Sequence, residues 1–184
     1  MKNRFMTITM LLFLSICVIF PLQAEDTMTY EEYPYAIGVV FSEPVWGLSY
    51  HQRFGDNALQ GTLGISYYPN PTYQAQLAYS IAVDYQRTIF GADFNRFLGA
   101  QLYLDAYLAH TGETAYNWET YTYDPFEAQI VAGVGFGVEA IFFQYFSVPV
   151  EFIYSFSYSP TEDSFPSNVS VDLVPRIGLR FRFK

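Results

Sequence analysis

The stretch Val169-Ser170-Val171-Asp172-Leu173-Val174-Pro175-Arg176-Ile177-Gly178-Leu179-Arg180-Phe181-Arg182-Phe183 decides the fold. Every second residue from Val169 to Phe183 is apolar, while the positions between them hold Ser170, Asp172, Val174, Arg176, Gly178, Arg180 and Arg182. A period of two is the signature of a β-strand with one greasy and one polar face. The strand is also long enough for a tilted membrane crossing, which takes about 9 to 11 residues.

The same design recurs through the chain. Val148, Val150, Phe152, Tyr154, Phe156 and Tyr158 alternate with Pro149, Glu151, Ile153, Ser155 and Ser157. Ala128, Ile130, Ala132, Val134, Phe136 and Val138 alternate with Gln129, Val131, Gly133, Gly135, Gly137 and Glu139, and residues 73–85 repeat the pattern. Less regular segments at 35–41, 46–54, 59–68 and 98–110 bring the expected number of strands to eight. Turn residues separate them at Glu43-Pro44, Gly55-Asp56-Asn57, Pro69-Asn70-Pro71 and Gly91-Ala92-Asp93. Two longer polar breaks, 111–126 and 160–168, are expected to be loops at one end of the structure.

Composition chooses which way the greasy face points. Half of the residues (51%) are hydrophobic and 20% are aromatic, more than the interior of an eight-stranded barrel can hold. Turned outward, those side chains meet lipid, and the narrow interior receives Gly, Ser, Ala, Gln and the charged groups. Aromatics near the expected strand ends (Trp46, Phe54, Tyr67, Tyr73, Tyr154, Phe156, Tyr158, Phe181 and Phe183) suit a headgroup belt. The expectation is an all-β fold, a closed antiparallel eight-stranded transmembrane β-barrel, because hydrocarbon offers nothing to pair an open sheet edge.

Residues 1–24 read as a signal peptide: Lys2 and Arg4 precede an apolar run to Phe20, and Ala24 ends it at a cleavage position. Residues 25–34 are expected to form a short N-terminal segment and residues 35–184 the barrel. Cys17 is the sole cysteine and falls in the leader behind bulky Ile16, so it reads as leader filler rather than a lipidation site. Beyond the leader, seven basic residues face eighteen acidic ones, a formal charge of −11. Nucleic acid is therefore excluded as a partner, since its phosphates require a basic patch.

The charged residues that fall on inward positions are Arg53, Asp84, Asp105, Glu139, Glu151, Arg176, Arg180 and Arg182. An ion taken out of water costs several kcal/mol unless it is paired, so a lumen network of salt bridges is expected, with Glu151 to Arg180 or Arg176 as its first link.

Chemistry was sought at four places. Ser49 and His51 share a strand face, with Asp84 as a possible acid; as lumen residues satisfied by neighbours they need no catalytic role. His110 reads as an exposed residue at the base of a loop. Two distant histidines and no carboxylate cluster provide no metal site, and no cofactor is expected. Gly133, Gly135 and Gly137 alternate along a strand, which fits a narrow lumen or a large neighbour better than a phosphate loop. Tyr116, Trp118, Tyr121 and Tyr123 make the segment between Glu113 and Asp124 the candidate surface-contact loop.

Two motifs carry a resemblance. Gly38-Val39-Val40-Phe41-Ser42-Glu43-Pro44 followed by Gly47-Leu48-Ser49, and the closing Ile177-Gly178-Leu179-Arg180-Phe181-Arg182-Phe183, resemble those of small eight-stranded outer-membrane barrels of the OmpX and OmpA-transmembrane-domain type. Ser42 stands where that pattern has Gly, and Lys184 follows the terminal aromatic. The resemblance implies the bacterial outer membrane, with both termini in the periplasm and the longer loops outside. The partners it implies are outer-membrane lipid and lipopolysaccharide, the barrel-assembly machinery, and a host or surface ligand held by the loops, with the barrel itself a monomer. Three functions stay open: a structural or adhesin-like surface barrel, a narrow pore, and a lipid A-modifying enzyme. The first is favoured, and a plugged lumen without enzymatic activity goes with it.

Overall fold

The computed structural model describes residues 32–69, 74–95, 97–117, 122–123, 127–160 and 169–184. The expected leader and nearly all of the segment 25–34 lie outside the described residues. So do Trp118 and Tyr121.

Among the described residues the strands are β1 (Tyr35–Phe41), β2 (Gly47–Phe54), β3 (Asn57–Pro69), β4 (Gln74–Asn95), β5 (Leu98–Asn117), β6 (Thr122–Tyr123), β7 (Glu127–Phe142), β8 (Phe146–Tyr158) and β9 (Val169–Phe183). Eight are long and antiparallel, and β6 is a two-residue return that pairs with the end of β5. The ring closes through β1, which pairs β2 on one side and β9 on the other, from Tyr35↔Phe183 to Phe41↔Ile177. No long strand is left with an open edge, and the expectation of a closed eight-stranded barrel is borne out.

Alternation sets which residues face which way. On β9, Leu173, Ile177, Leu179 and Phe181 are exposed on the outside, while Arg176, Arg180 and Arg182 are buried inside. On β8, Phe152, Tyr154, Phe156 and Tyr158 point out, and Glu151, Ile153 and Ser155 point in. The outer wall is therefore apolar around the ring, with Ile37, Leu48, Leu63, Val83, Leu108 and Val134 completing it on the other strands.

The β4–β5 hairpin departs from the expected boundaries. Gly91-Ala92-Asp93 is no turn: β4 runs through it and pairs Gly91 with Gln101, Ala92 with Ala100 and Asp93 with Gly99. Register shifts between Thr88 and Phe90 and between Asp93 and Asn95 absorb the extra residues, which is why consecutive Ile89 and Phe90 are both exposed. Asn95 makes the reversal instead, its side-chain oxygen accepting from Phe97 N at 2.8 Å and Leu98 N at 3.0 Å. At the other end β5 continues to Asn117, so the loop expected over 111–126 begins seven residues later. Thr and Tyr are strand formers, and their polarity had made this paired segment read as a loop.

Aromatic orientation needs a second correction. Tyr103 and Tyr107 point inward and are buried, rather than facing lipid with the other aromatics. The reason lies on β7, where Gly137 is the register partner of Tyr103 and Gly133 that of Tyr107. A Cβ at Gly137 would sit 2.4 Å from Tyr103 Cζ, and one at Gly133 would sit 2.5 Å from Tyr107 Cε1. The glycines admit the two rings.

Candidate functional site

The lumen is the most organised part of the molecule. Arg176, delivered by β9, is 2% exposed and meets three carboxylates from three other strands. Its Nη1 lies 2.5 Å from Asp84 Oδ1 on β4, its Nη2 lies 2.7 Å from Asp105 Oδ2 on β5, and its Nε donates to Glu151 Oε2 on β8 at 2.6 Å. Gln86 Nε2 donates to Glu151 Oε1 at 3.1 Å, and Tyr103 Oη donates to the same oxygen at 2.5 Å. Arg176 also lies against the Tyr107 ring, 5.2 Å from its centroid.

Arg180 is two residues further along the same inward face. Its Nη2 donates to Gln60 Oε1 at 2.7 Å, its Nη1 lies 3.1 Å from Glu139 Oε1, and Glu151 Oε1 is 3.6 Å away. Glu139 accepts in addition from Gln101 Nε2 and Ser147 Oγ. Arg53 donates to Gln101 Oε1 at 2.5 Å and to Thr88 Oγ1 at 2.9 Å, and Arg182 donates to the Tyr33 carbonyl at 3.3 Å. Four guanidinium groups and four carboxylates thus share one interior.

Sequence reasoning missed the neutral members of this network: Gln60, Gln86, Gln101, Thr88, Ser147 and Tyr103. The glutamines carried a usable signal, since each occupies the inward phase of its strand. Tyr103 carried the same signal, two residues from inward Asp105, but the room for its ring is supplied by Gly137 of the neighbouring strand.

Beyond the Arg176 cluster the interior becomes apolar. Val45, Ala82, Tyr107, Ala109, Val131 and Ile153 form one buried cluster. Val45 comes from the β1–β2 turn, which dips into the barrel mouth and is held there by Ser80, whose Oγ donates to the Trp46 carbonyl at 2.6 Å. On the far side of this cluster a cavity of about 540 Å³ is lined by Glu43, Gln129, Ser155, Ser157, Ser170 and Asp172 among others.

Ser49 and His51 both lie buried in the lumen, but no catalytic set forms around them. Asp84 is held by Arg176 and by Gln60 Nε2 at 3.4 Å instead. His110 is not at a loop base: it lies within β5 on the outer face, stacked on Tyr79 at 5.7 Å between centroids, with Nδ1 2.9 Å from the Tyr79 hydroxyl. Among the described residues no group of three His, Cys, Asp or Glu side chains could hold a metal ion. Of the candidate contact aromatics, Tyr116 and Tyr123 are backbone partners in the β5–β6 pairing.

No family model matches the chain, and no curated protein matches it. Solved structures do. The N-terminal β-barrel domain of Pseudomonas aeruginosa OprF is 17% identical with a TM-score of 0.53, over 81% of this chain and 95% of that one. Neisserial surface protein A is 19% identical (TM-score 0.47, covering 81% and 93%). The attachment invasion locus protein Ail of Yersinia pestis is 15% identical (TM-score 0.39, covering 81% and 93%). The likeness to the OprF domain carries the fold, an antiparallel barrel of the small eight-stranded kind.

Proposed function

We propose that the chain is an outer-membrane β-barrel protein whose closed barrel carries outer loops for surface contact and conducts no solute. The observation that supports this reading is the inversion of its two faces. Large apolar side chains such as Leu48 (72% exposed), Ile65 (69%), Val134 (63%) and Leu173 (63%) cover the outside, while arginine and carboxylate groups are buried within. A bilayer stabilises that arrangement, whereas water would disfavour so large a contiguous apolar surface.

On this reading residues 1–24 direct export and are removed, and the closing strand Ile177 to Phe183 is read by the barrel-assembly machinery. The barrel sits in the lipopolysaccharide-bearing membrane as a monomer with both termini in the periplasm. The network around Arg176 and Arg180, with the Val45 and Ile153 cluster beyond it, supports a plugged lumen rather than a pore. The engagement of Asp84 by Arg176 supports a non-enzymatic role.

The contact surface belongs to the loops after β5 and β8. Between residues 97 and 175 the sequence contains no Lys or Arg, yet it carries Glu113, Glu119, Asp124, Glu127, Glu162, Asp163 and Asp172. With aromatic Tyr116, Trp118, Tyr121 and Tyr123 among them, such a rim suits a basic or neutral protein surface and repels sulfated polymers. Deleting residues 114–123 while the barrel still assembles should abolish adhesion of intact cells to such a surface. Unchanged adhesion would refute the contact role, and unit conductance of the purified protein in planar bilayers would refute the plugged lumen.

A further inference from the structure

The rim of the barrel is not level. β1 has 7 residues and β2 has 8, fewer than the roughly 9 to 11 that a bilayer crossing takes, while their outer neighbours β9 and β3 have 15 and 13. β1 pairs with β9 no further than Phe41 with Ile177, and β2 with β3 no further than Leu48 with Leu63. Beyond those points β9 runs on to Val169 and β3 to Pro69, and among the described residues neither has a strand partner on that side. On their other sides both stay paired to the end, Val169 with Tyr158 and Pro69 with Ala75. The result is a notch in the wall, with the β1–β2 turn as its sill.

The notch opens onto lipid. Val171 and Leu173 on β9 and Ile65 on β3 turn exposed apolar side chains outward beside it, at a depth where hydrocarbon offers an unpaired strand edge nothing to bond with. Behind it lies the cavity of about 540 Å³, whose lining takes Glu43 and Pro44 from the sill and Asp172 to Pro175 from the free edge of β9. Sites for small ligands run to roughly 300–1,000 Å³. A polar chamber thus has an apolar doorway, which is the shape of a site for an amphiphile.

Charge selects the head of that amphiphile. Asp172 Oδ2 accepts from Ser170 Oγ at 3.0 Å, and Ser170 Oγ lies 2.6 Å from Ser157 Oγ. A carboxylate takes about four hydrogen bonds, so Asp172 and Glu43 retain capacity for further donors. The chain supplies no cation here: residues 33–52, 54–86 and 97–175, which hold the connections at this end, contain no Lys or Arg. Such a chamber repels a phosphate or carboxylate head and attracts an ammonium.

We propose that the cavity behind the notch binds the head of an amine-bearing amphiphile, which enters sideways from the lipid and leaves its tail against Leu173 and Ile65. The ammonium donates to Asp172 and Glu43, and the tail covers the free edges of β9 and β3. The proposal takes the bilayer from the reading above and adds a ligand to it.

The test uses the full mature barrel in neutral detergent, with dodecylammonium as the probe. Native mass spectrometry should show one saturable adduct with dodecylammonium, and none with dodecyl phosphate or with ethylammonium, which has the head without the tail. Glu43→Gln combined with Asp172→Asn should weaken the adduct by about tenfold or more. In the unaltered protein, a diazirine in the tail of the probe should label β9 around Leu173 and β3 around Ile65, a readout that stands if the double variant does not assemble. Equal uptake of dodecyl phosphate, or label confined to residues 113–127, overturns the proposal. A barrel that inserts into vesicles yet takes up no amine overturns the site and leaves the membrane reading intact.

Discussion

Arg176 reaches across the barrel to Asp84, its Nη1 2.5 Å from the carboxylate although 92 residues separate the two in sequence. The contact joins β9 to β4 through the interior, a pair of strands that share no backbone hydrogen bonds. The network therefore braces the ring from within as well as balancing charge.

Removing that cation should be costly. Arg176→Met leaves Asp84, Asp105 and Glu151 buried together without the cation they share, and breaking such an arrangement costs about 3–5 kcal/mol. The expected result is a lower urea midpoint and a lower temperature for the heat-modified gel shift, partly restored when Asp84→Asn and Asp105→Asn are added.

The glycines on β7 should resist substitution for a reason that a second mutation removes. Gly137→Ala drives a methyl into the Tyr103 ring, and overpacking of this kind costs about 1–3 kcal/mol. Combined with Tyr103→Leu the penalty should shrink, giving a coupling of at least about 0.5 kcal/mol in a double-mutant cycle of unfolding free energies.

One turn stores backbone strain. Phe143 and Gln144 both adopt positive φ, 52° and 69°, between β7 and β8, where a non-glycine residue pays roughly 1–2 kcal/mol. Gln144→Gly should raise stability by about 0.5–1 kcal/mol after glycine's own entropy cost, read from the shift in denaturant midpoint.

How much of this the sequence discloses depends on how local the cause is. β9 could be bounded from its own alternation to the residue, and the inward phase of Arg176, Arg180 and Arg182 follows from the same fifteen residues. The hairpin between β4 and β5 could not, because Gly91 and Asp93 look like turn residues in isolation. In the fold Asp93 packs where Gly99 leaves space, and Asn95 supplies the turn. Tyr103 and Tyr107 share the inward phase of Asp105, but the room for their rings could not be read, since Gly137 and Gly133 become their neighbours only once register is known. The links of the network are hidden likewise, since a strand pattern gives the phase of Arg180 but not its reach to Gln60.

The apolar outer wall makes its own prediction. Val134→Arg places a charge on that wall, and near a bilayer midplane an arginine costs about 2–4 kcal/mol. On a water-facing surface the same change would fall within about 0.5 kcal/mol of neutral. Folding titrations in lipid vesicles separate the two.

The most direct test of the account is the environment of the outer wall itself. Cys17 is the sole cysteine, so with Cys17→Ser in place single cysteines at Val134, Leu173 and Leu179 can carry spin labels on the protein in vesicles. The account predicts that dissolved oxygen relaxes all three labels strongly and a water-soluble nickel chelate does so weakly. Strong relaxation by the nickel chelate at all three, or a mature protein that stays soluble and folded without detergent or lipid, would contradict it.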